Sequence, residues 1–512
     1  MRRLVASAAL LAGAFAIAVA LQPSHEPAMA AAPQEPVTFS NQVVRIFQDK
    51  CQTCHHPGDI APFSLMTYEE SVEYADQIAE RTASHQMPPW KPVEGCSEFL
   101  NKRSLSDDEI ETIGRWVADG APEGDPADMP ASLTFPDEWK LGEPDVELVS
   151  TRQGYKVPAS ASSDIYRCFT VATNFDTDRF ITGVEVRPGN RKIVHHILLF
   201  IDTSGVSVDL DRADPGPGYT SFGGPGFNTI GSLGGWAPGA PPTELREGTG
   251  YLVPRGARVV MQIHYKPNGE DEVDQTRIGL HFARSPVYQD AIVLPLINRN
   301  FTIPAGARDY PVNVSFSLPP GVNLTLESVA PHMHLLGREM QVTATLPGGE
   351  RRCLIYINDW DFHWQGAYRY ADRIPLPGGT QIDVQALYDN SELNHSQPNF
   401  PPQDVSWGER TTDEMCIAFL GITVDAEHRT PSEPALDGAE VKGSRLVVSG
   451  QDIRNGSIIE VNGAPLRDSR TKSRHSCSSR ADWLEAIPEG TTVNVTVLNP
   501  DGARSQPIVF SR

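Results

Sequence analysis

Pro331-His332-Met333-His334-Leu335-Leu336-Gly337 is the stretch that most narrows what this chain can be. Side chains alternate faces along a β-strand, so histidines two positions apart present both imidazoles to one point. Nitrogen donors converging in this way suit a transition-metal ion. The flanks Leu326-Glu-Ser-Val-Ala and Met340-Gln-Val-Thr-Ala-Thr-Leu read as strand, which puts the pair on a sheet. Three further groups join it: His195-His196, Gln262-Ile-His264-Tyr265 and Asp413-Glu-Met415-Cys416. A separate motif, Cys51-Gln-Thr-Cys54-His55, points to a second kind of redox metal.

A chain of 512 residues exceeds what one core can organise, and about three to four domains are expected. Its 43 prolines and 42 glycines, with few long amphipathic stretches beyond residue 130, favour an all-β bulk. The net charge of −22 argues against nucleic acid or an anionic membrane surface as partner. Met1-Arg2-Arg3, the apolar run from Leu4 to Leu21 and Ala28-Met29-Ala30 form a secretory signal over residues 1–31. An uncleaved N-terminal anchor is the alternative, because the run is nearly long enough to span a bilayer. Either way the mature chain is expected in the periplasm or secreted, and no other segment reads as a membrane span.

Seven cysteines must be placed in that oxidising compartment. Two belong to the Cys51/Cys54 motif, leaving Cys96, Cys168, Cys353, Cys416 and Cys477. An odd remainder implies a free thiol or an intermolecular bond. Cys353 and Cys416 fall in one expected domain and are the pair favoured here.

Residues 36–127 read as a small helical unit. Val43, Val44 and Phe47 share a helical face that runs into the Cys51–His55 motif. Two thiols three apart can form thioethers to a haem, with the next imidazole reaching the iron. A zinc or redox Cys-x-x-Cys is the plainer reading; the following His and the export signal favour haem. Met87, held by Pro88 and Pro89, is the expected sixth ligand, with His85 and His56 competing. Capping boxes at Thr67/Glu70 and Ser106/Glu109 start two helices, the second carrying Ile110, Ile113, Trp116 and Val117 on one face. This unit resembles a class I cytochrome c domain.

A Pro/Asp/Ala-rich tail leads into short β-like runs over 139–285, with a long Gly/Pro-rich loop from Asp214 to Gly250. Adjacent histidines on a regular strand face opposite ways, so His195 and His196 share one ion only at a bend or strand end. A second β unit is expected over 286–428. In it the run Trp360-Asp-Phe-His-Trp-Gln365 reads as core, and Met415, taken alone, reads as packing. Residues 432–512 carry short alternating strands with a hairpin turn at Val461-Asn-Gly463. They resemble an IPT/TIG-type immunoglobulin-like module, with a structural or adhesive role.

Together, His195-His196, Gln262-Ile-His264-Tyr265, His332-Met-His334 with Leu336-Gly337, and Thr412-Asp-Glu-Met415-Cys resemble the copper type II, ascorbate-dependent monooxygenases. The peptidylglycine α-hydroxylating and dopamine β-monooxygenases belong to that family, and the likeness covers about 150–425. It implies two tandem copper-binding β-sandwich domains, making the whole multidomain and mainly β with an N-terminal all-α cytochrome c-like unit. By position His195, His196 and His264 would bind an electron-transfer copper. His332, His334 and Met415 would bind the copper where oxygen and substrate meet. Where the amidating enzymes carry a peptide-binding Arg, this chain has Ala330; where they carry Asn and Tyr after the methionine, it has Ile417 and Phe419. The resemblance therefore implies an apolar pocket and a small-molecule substrate with O2. Electrons would come through haem, ascorbate or a periplasmic donor. An electron-transfer or copper-handling protein on the same fold is the rival reading, and a haem-bearing adhesion subunit is a third.

Overall fold

In the computed structural model the largest element is a curved sheet that runs through both central β units. The structure describes residues 36–59, 61–135, 139–229, 231–408, 410–425, 433–466 and 468–512. The expected leader at 1–31 lies outside them. Among the described residues no helix is long and apolar enough to cross a membrane. The fold is mainly β, with many sheets and few helices.

Four helices lie within 36–127. A π-type turn at Phe39–Val43 leads into α1 (Val44–Lys50), and α2 (Tyr68–Glu73) and α3 (Ala75–Ala83) follow. α4 (Asp107–Ala118) closes the set. Both capping boxes form, at Thr67 with Glu70 and at Ser106 with Glu109, so each helix starts where its hydroxyl can accept an orphan N–H. The amphipathic faces meet as expected: Phe39, Val43, Phe47, Ile113 and Trp116 are fully buried together. Phe47 meets Trp116 edge to face at 6.2 Å, the geometry favoured by the ring quadrupoles.

The chain between α3 and α4 leaves this core. Phe99 is buried in the core of the second β unit and bridges to Tyr370, while Trp90 packs edge-on against Tyr368 at 5.4 Å. Cys96 bonds to Cys353 across 257 residues. This corrects the expected Cys353–Cys416 pair. Cys353 sits on the strand Arg351–Ile357, along which the segment from Pro92 to Phe99 runs. Cys416 instead points into the core of the same unit and stays a free thiol.

The first β unit faces a sheet containing Arg179–Arg187, Thr249–Val253 and Arg277–Phe282 against a second sheet. That second sheet orders Tyr219–Thr220, Ile165–Ala172, Arg258–Tyr265, Val194–Asp202 and Gly231–Trp236. Ile181, Ile197, Leu199, Ile263, Tyr265 and Leu280 fill the space between them. The expected loop over 214–250 therefore contains paired strand. Its register hides in the sequence because glycine supplies it: a Cβ at Gly235 would strike the Ile197 carbonyl.

In the second unit Gln289–Asn298, Cys416–Asp425, Leu324–His332 and Tyr368–Leu376 face Tyr310–Ser317, Gln381–Tyr388, Gly337–Thr345 and Arg351–Ile357. Leu326, Val329, Val342, Leu354, Ile382 and Leu420 form that core. The two units are joined by parallel pairing of Gln289 with Thr249 and Asp290 with Gly250. Beyond residue 433, two four-stranded sheets close on Leu446, Val448, Ile459 and Val495. The turn expected at Val461 forms, with Asn462 and Gly463 both at positive φ between paired Val461 and Ala464.

Candidate metal centre

Strand register builds the first donor set. Along Arg258–Tyr265, Ile263 and Tyr265 enter the core and His264 faces the other way. On the neighbouring strand His264 pairs with His196, but Tyr265 pairs with Val194, so His195 is passed over in a β-bulge. Val194 and Ile197 both reach the core, and the two histidines between them turn outward together, as a bulge allows. The bend that adjacent histidines require is therefore present.

The result is a convergence of imidazoles. Nδ1 of His196 lies 3.2 Å from Nδ1 of His195 and 3.3 Å from Nδ1 of His264. Donors about 2.0–2.1 Å from a shared ion sit at roughly such spacings from each other. Among the described residues these three are the one cluster of His, Cys, Asp or Glu side chains that fits an ion in this way. Burial pushes His195 down to about 3, helped by neighbouring His264 and His363. It drives His196 well below the ordinary range, again aided by the other imidazoles. Both are thus neutral with lone pairs available, the form a metal needs. Asp164 closes the set from outside, its Oδ2 2.9 Å from His264 Nε2, which leaves Nδ1 facing inward. Burial raises the Asp164 carboxyl, but the His264 bond prevails and holds it below its usual value.

The second set lies at the end of the strand Leu324–His332. The strand stops at His332, so His334 stands in the following turn instead of on the expected strand face. The rings still come together, 5.2 Å apart and nearly perpendicular. Each is oriented through Nδ1: His332 against Gln365 Oε1 at 2.6 Å, and His334 against the Asp413 carbonyl at 3.0 Å. Gln365 Nε2 donates to the Phe362 carbonyl, which fixes its Oε1 as acceptor and the His332 proton on Nδ1. Nε2 is thereby left as the free donor. Burial pushes His332 down to about 3 and also lowers His334.

Met415 is buried beside this turn. The link is Glu414, which is fully buried and accepts N–H bonds from His334 at 2.9 Å, Leu336 at 2.6 Å and Met415 at 3.1 Å. One carboxylate thus stitches the methionine segment to the histidine turn. Burial pushes Glu414 up to about 8, against the pull of those amides. Beside His332 the sheet presents Phe419, at 6.3 Å between rings, with Ala330 opposite Phe419 and Ile417 opposite His332. That face is apolar.

The aromatic run is a loop whose Trp360 and Phe362 are packed inward as expected, but it also lies between the two histidine sets. The Phe362 ring stacks near His195 at 6.3 Å and meets His334 edge-on at 5.8 Å. Trp360 donates its indole N–H to the His334 carbonyl. Asp164, Gln365 and Phe362 were not marked as site residues by the sequence. Asp164 lies in no motif, and Gln365 and Phe362 were hidden in a run that reads as apolar packing.

At the helical unit, Cys51 and Cys54 are half-buried free thiols at the end of α1. Burial pushes Cys51 up to about 12 and also raises Cys54. His55 is fixed through Nδ1 to the Phe63 carbonyl at 3.1 Å, leaving Nε2 free. His56 is engaged elsewhere, stacked on Phe135 at 3.8 Å, and His85 is exposed. Met87 is half-buried in the turn after α3. The motif adjoins the first β unit, where Arg191 pairs with Asp59 and Arg103 donates to the Gly239 carbonyl.

No family model matches the chain. It is 22% identical over 355 residues to DBH-like monooxygenase protein 1 of Homo sapiens, covering 63% of this chain. The chain spans about half the length of that relative, 55% of it. Solved structures with similarity include an infectious bursal disease virus Gx strain structure, with a TM-score of 0.19 and 10% identity. That match covers 55% of this chain and 72% of the other. The adhesin domain of Epf from Streptococcus pyogenes gives a TM-score of 0.14 and 9% identity, covering 43% and 76%. Neither score marks a common fold.

Proposed function

We propose that this chain is an exported copper-dependent monooxygenase of the copper type II kind, which hydroxylates a C–H bond of a small apolar or aromatic molecule with O2. The observation that carries the reading is two unlike donor sets facing one aromatic ring. Three imidazole Nδ1 atoms converge on one side. On the other stand two imidazoles oriented through Nδ1, tied by Glu414 to the Met415 segment. The distant monooxygenase relative supports the same class.

Copper held by both sets would supply the one-electron steps that activate oxygen and place one of its atoms in the substrate. His195, His196 and His264 would hold the electron-transfer ion, and His332, His334 and Met415 would hold the ion beside the substrate. A thioether among the latter favours the reduced metal. Asp164 keeps the His264 tautomer, and Gln365 and the Asp413 carbonyl do the same for His332 and His334. Ala330, Ile417 and Phe419 give the substrate an apolar face and offer no charge to hold a peptide carboxylate. A haem on Cys51 and Cys54, with His55 and Met87 as axial ligands, would supply electrons, with ascorbate or a periplasmic protein as other donors. The segment 1–31 is the export signal, and 432–512 is an IPT/TIG-like module of structural or adhesive role.

Metal and haem stoichiometry of the exported protein, followed by ascorbate-driven oxygen uptake on apolar and aromatic substrates, tests this. Two coppers, one haem and a hydroxylated product in step with oxygen uptake are expected. Met415→Ile and His332→Ala abolish product while the three-histidine ion stays bound and reducible. Two bound coppers without product in any substrate would put the electron-transfer or copper-handling reading first.

A further inference from the structure

The loop Trp360–Gln365 touches both donor sets. At its start the Trp360 backbone N–H donates to the Arg338 carbonyl, and its indole N–H donates to the His334 carbonyl at 3.1 Å. A Cβ at Gly337 would run into both Trp360 and Met333, so the turn after His334 is shaped to receive that indole. At its end Gln365 holds His332 through Nδ1. Between them Phe362, only 8% exposed, presents one aspect to His195 and another to His334. Gln365 donates back to the Phe362 carbonyl, so the anchor on His332 and the ring between the sets are tied within one turn.

We propose that this loop, with Phe362 at its centre, couples the two donor sets, so that metal held by either raises the affinity of the other. The inference rests on the reading of both sets as metal sites and adds what connects them. An ion at the first set fixes the His195 ring in one rotamer, and that ring is the surface on which Phe362 lies. Fixing Phe362 fixes the turn that carries Gln365 and Trp360, and through them the His332 tautomer and the His334 backbone. The second set then loses less side-chain freedom when it binds its own ion. By linkage the effect is reciprocal. Phe362 is on this account a positioning residue; it donates no ligand atom.

The test is a thermodynamic cycle on the full-length protein, read by competition for Cu(I) with a chromophoric chelator. His264→Ala disables the first set without touching Phe362. In the otherwise unaltered protein it should weaken Cu(I) binding at the His332/His334/Met415 set by about fivefold or more, the lower end of ordinary coupling. In a Phe362→Leu background, which keeps an apolar side chain, the same deletion should leave that affinity unchanged. Phe362→Tyr retains the ring and should restore the drop. The proposal is overturned if His264→Ala has no effect on the second set, or if the drop persists undiminished in Phe362→Leu. Both results leave two metal sites standing. Failure of the unaltered protein to bind two Cu(I) ions would instead overturn the metal reading itself, and the coupling with it.

Discussion

His195 and His196 are consecutive residues whose Nδ1 atoms lie 3.2 Å apart on one side of a sheet. The bulge that skips His195 opposite Tyr265 makes this possible. A regular strand would send one imidazole into the core among Val194 and Ile197, where an unpaired ring nitrogen is costly to bury. The site is thus specified by backbone register as much as by residue type.

Asp164 is expected to act directly on the first set. It touches His264 on the side away from the other imidazoles and holds the tautomer in which Nδ1 is the free donor. Asp164→Ala should lower copper affinity at the three-histidine set about 10–100-fold, as for other carboxylates behind a ligating histidine. Chelator competition measures it, with any loss at the second set limited to the smaller coupled effect.

Glu414→Gln should damage the second set from within. The Glu414 carboxyl group accepts three backbone N–H bonds with both oxygens. An amide has one acceptor oxygen, and its NH2 group would face a buried donor. Leaving one such N–H unpaired costs about 1–3 kcal/mol. Urea unfolding should show that loss. Metal binding at His332/His334/Met415 should weaken strongly, while the three-histidine set loses no more than the coupled, about fivefold share.

Asp274 gives a prediction in pH. It is fully buried and accepts from the Tyr265 hydroxyl, the Thr276 hydroxyl and the Asn190 N–H. Burial outweighs those bonds and raises its pKa above the ordinary 3.8. A carboxyl that keeps its proton longer in the folded state stabilises the fold fully below the unfolded value. That contribution is lost as pH rises through the folded value. Asp274→Asn cannot titrate, so the stability of the native protein relative to this variant should fall as pH rises across the acid range. Denaturant midpoints at a series of pH values check the sign; a difference that grows with pH would refute it.

At the helical unit, haem bound through Cys51 and Cys54 should survive acid extraction. Met87→His should lower its reduction potential, because a nitrogen donor in place of a thioether stabilises the ferric ion. An unaltered spectrum and potential would show that Met87 is not the axial ligand.

Much of this architecture was legible because local signals and tertiary needs agree. The capping hydroxyls of Thr67 and Ser106, the apolar face of α4 and the Asn462-Gly463 turn each announce themselves within a few residues. The histidines could be named from their spacing and from the family likeness. What was not legible depends on contacts distant in sequence. Cys96 finds Cys353 because the chain after α3 crosses to another unit, and nothing in its local pattern requires that. Asp164 and Gln365 gain meaning only from the rings they touch. Phe362 is buried as its pattern implies, but its place between two histidine clusters is hidden, because alternating apolar residues look alike whichever neighbours they pack against.

The short parallel ladder joining Gln289 and Asp290 to Thr249 and Gly250 bears on how anything gets in or out. Proteins assembled from two lobes can open like a jaw about a hinge. Here the lobes share backbone hydrogen bonds, and the Cys96–Cys353 bond fastens the segment between α3 and α4 to the second of them. Swinging the lobes apart would tear that seam. Any opening near the histidine sets is therefore left to loops, and not to a parting of the two lobes.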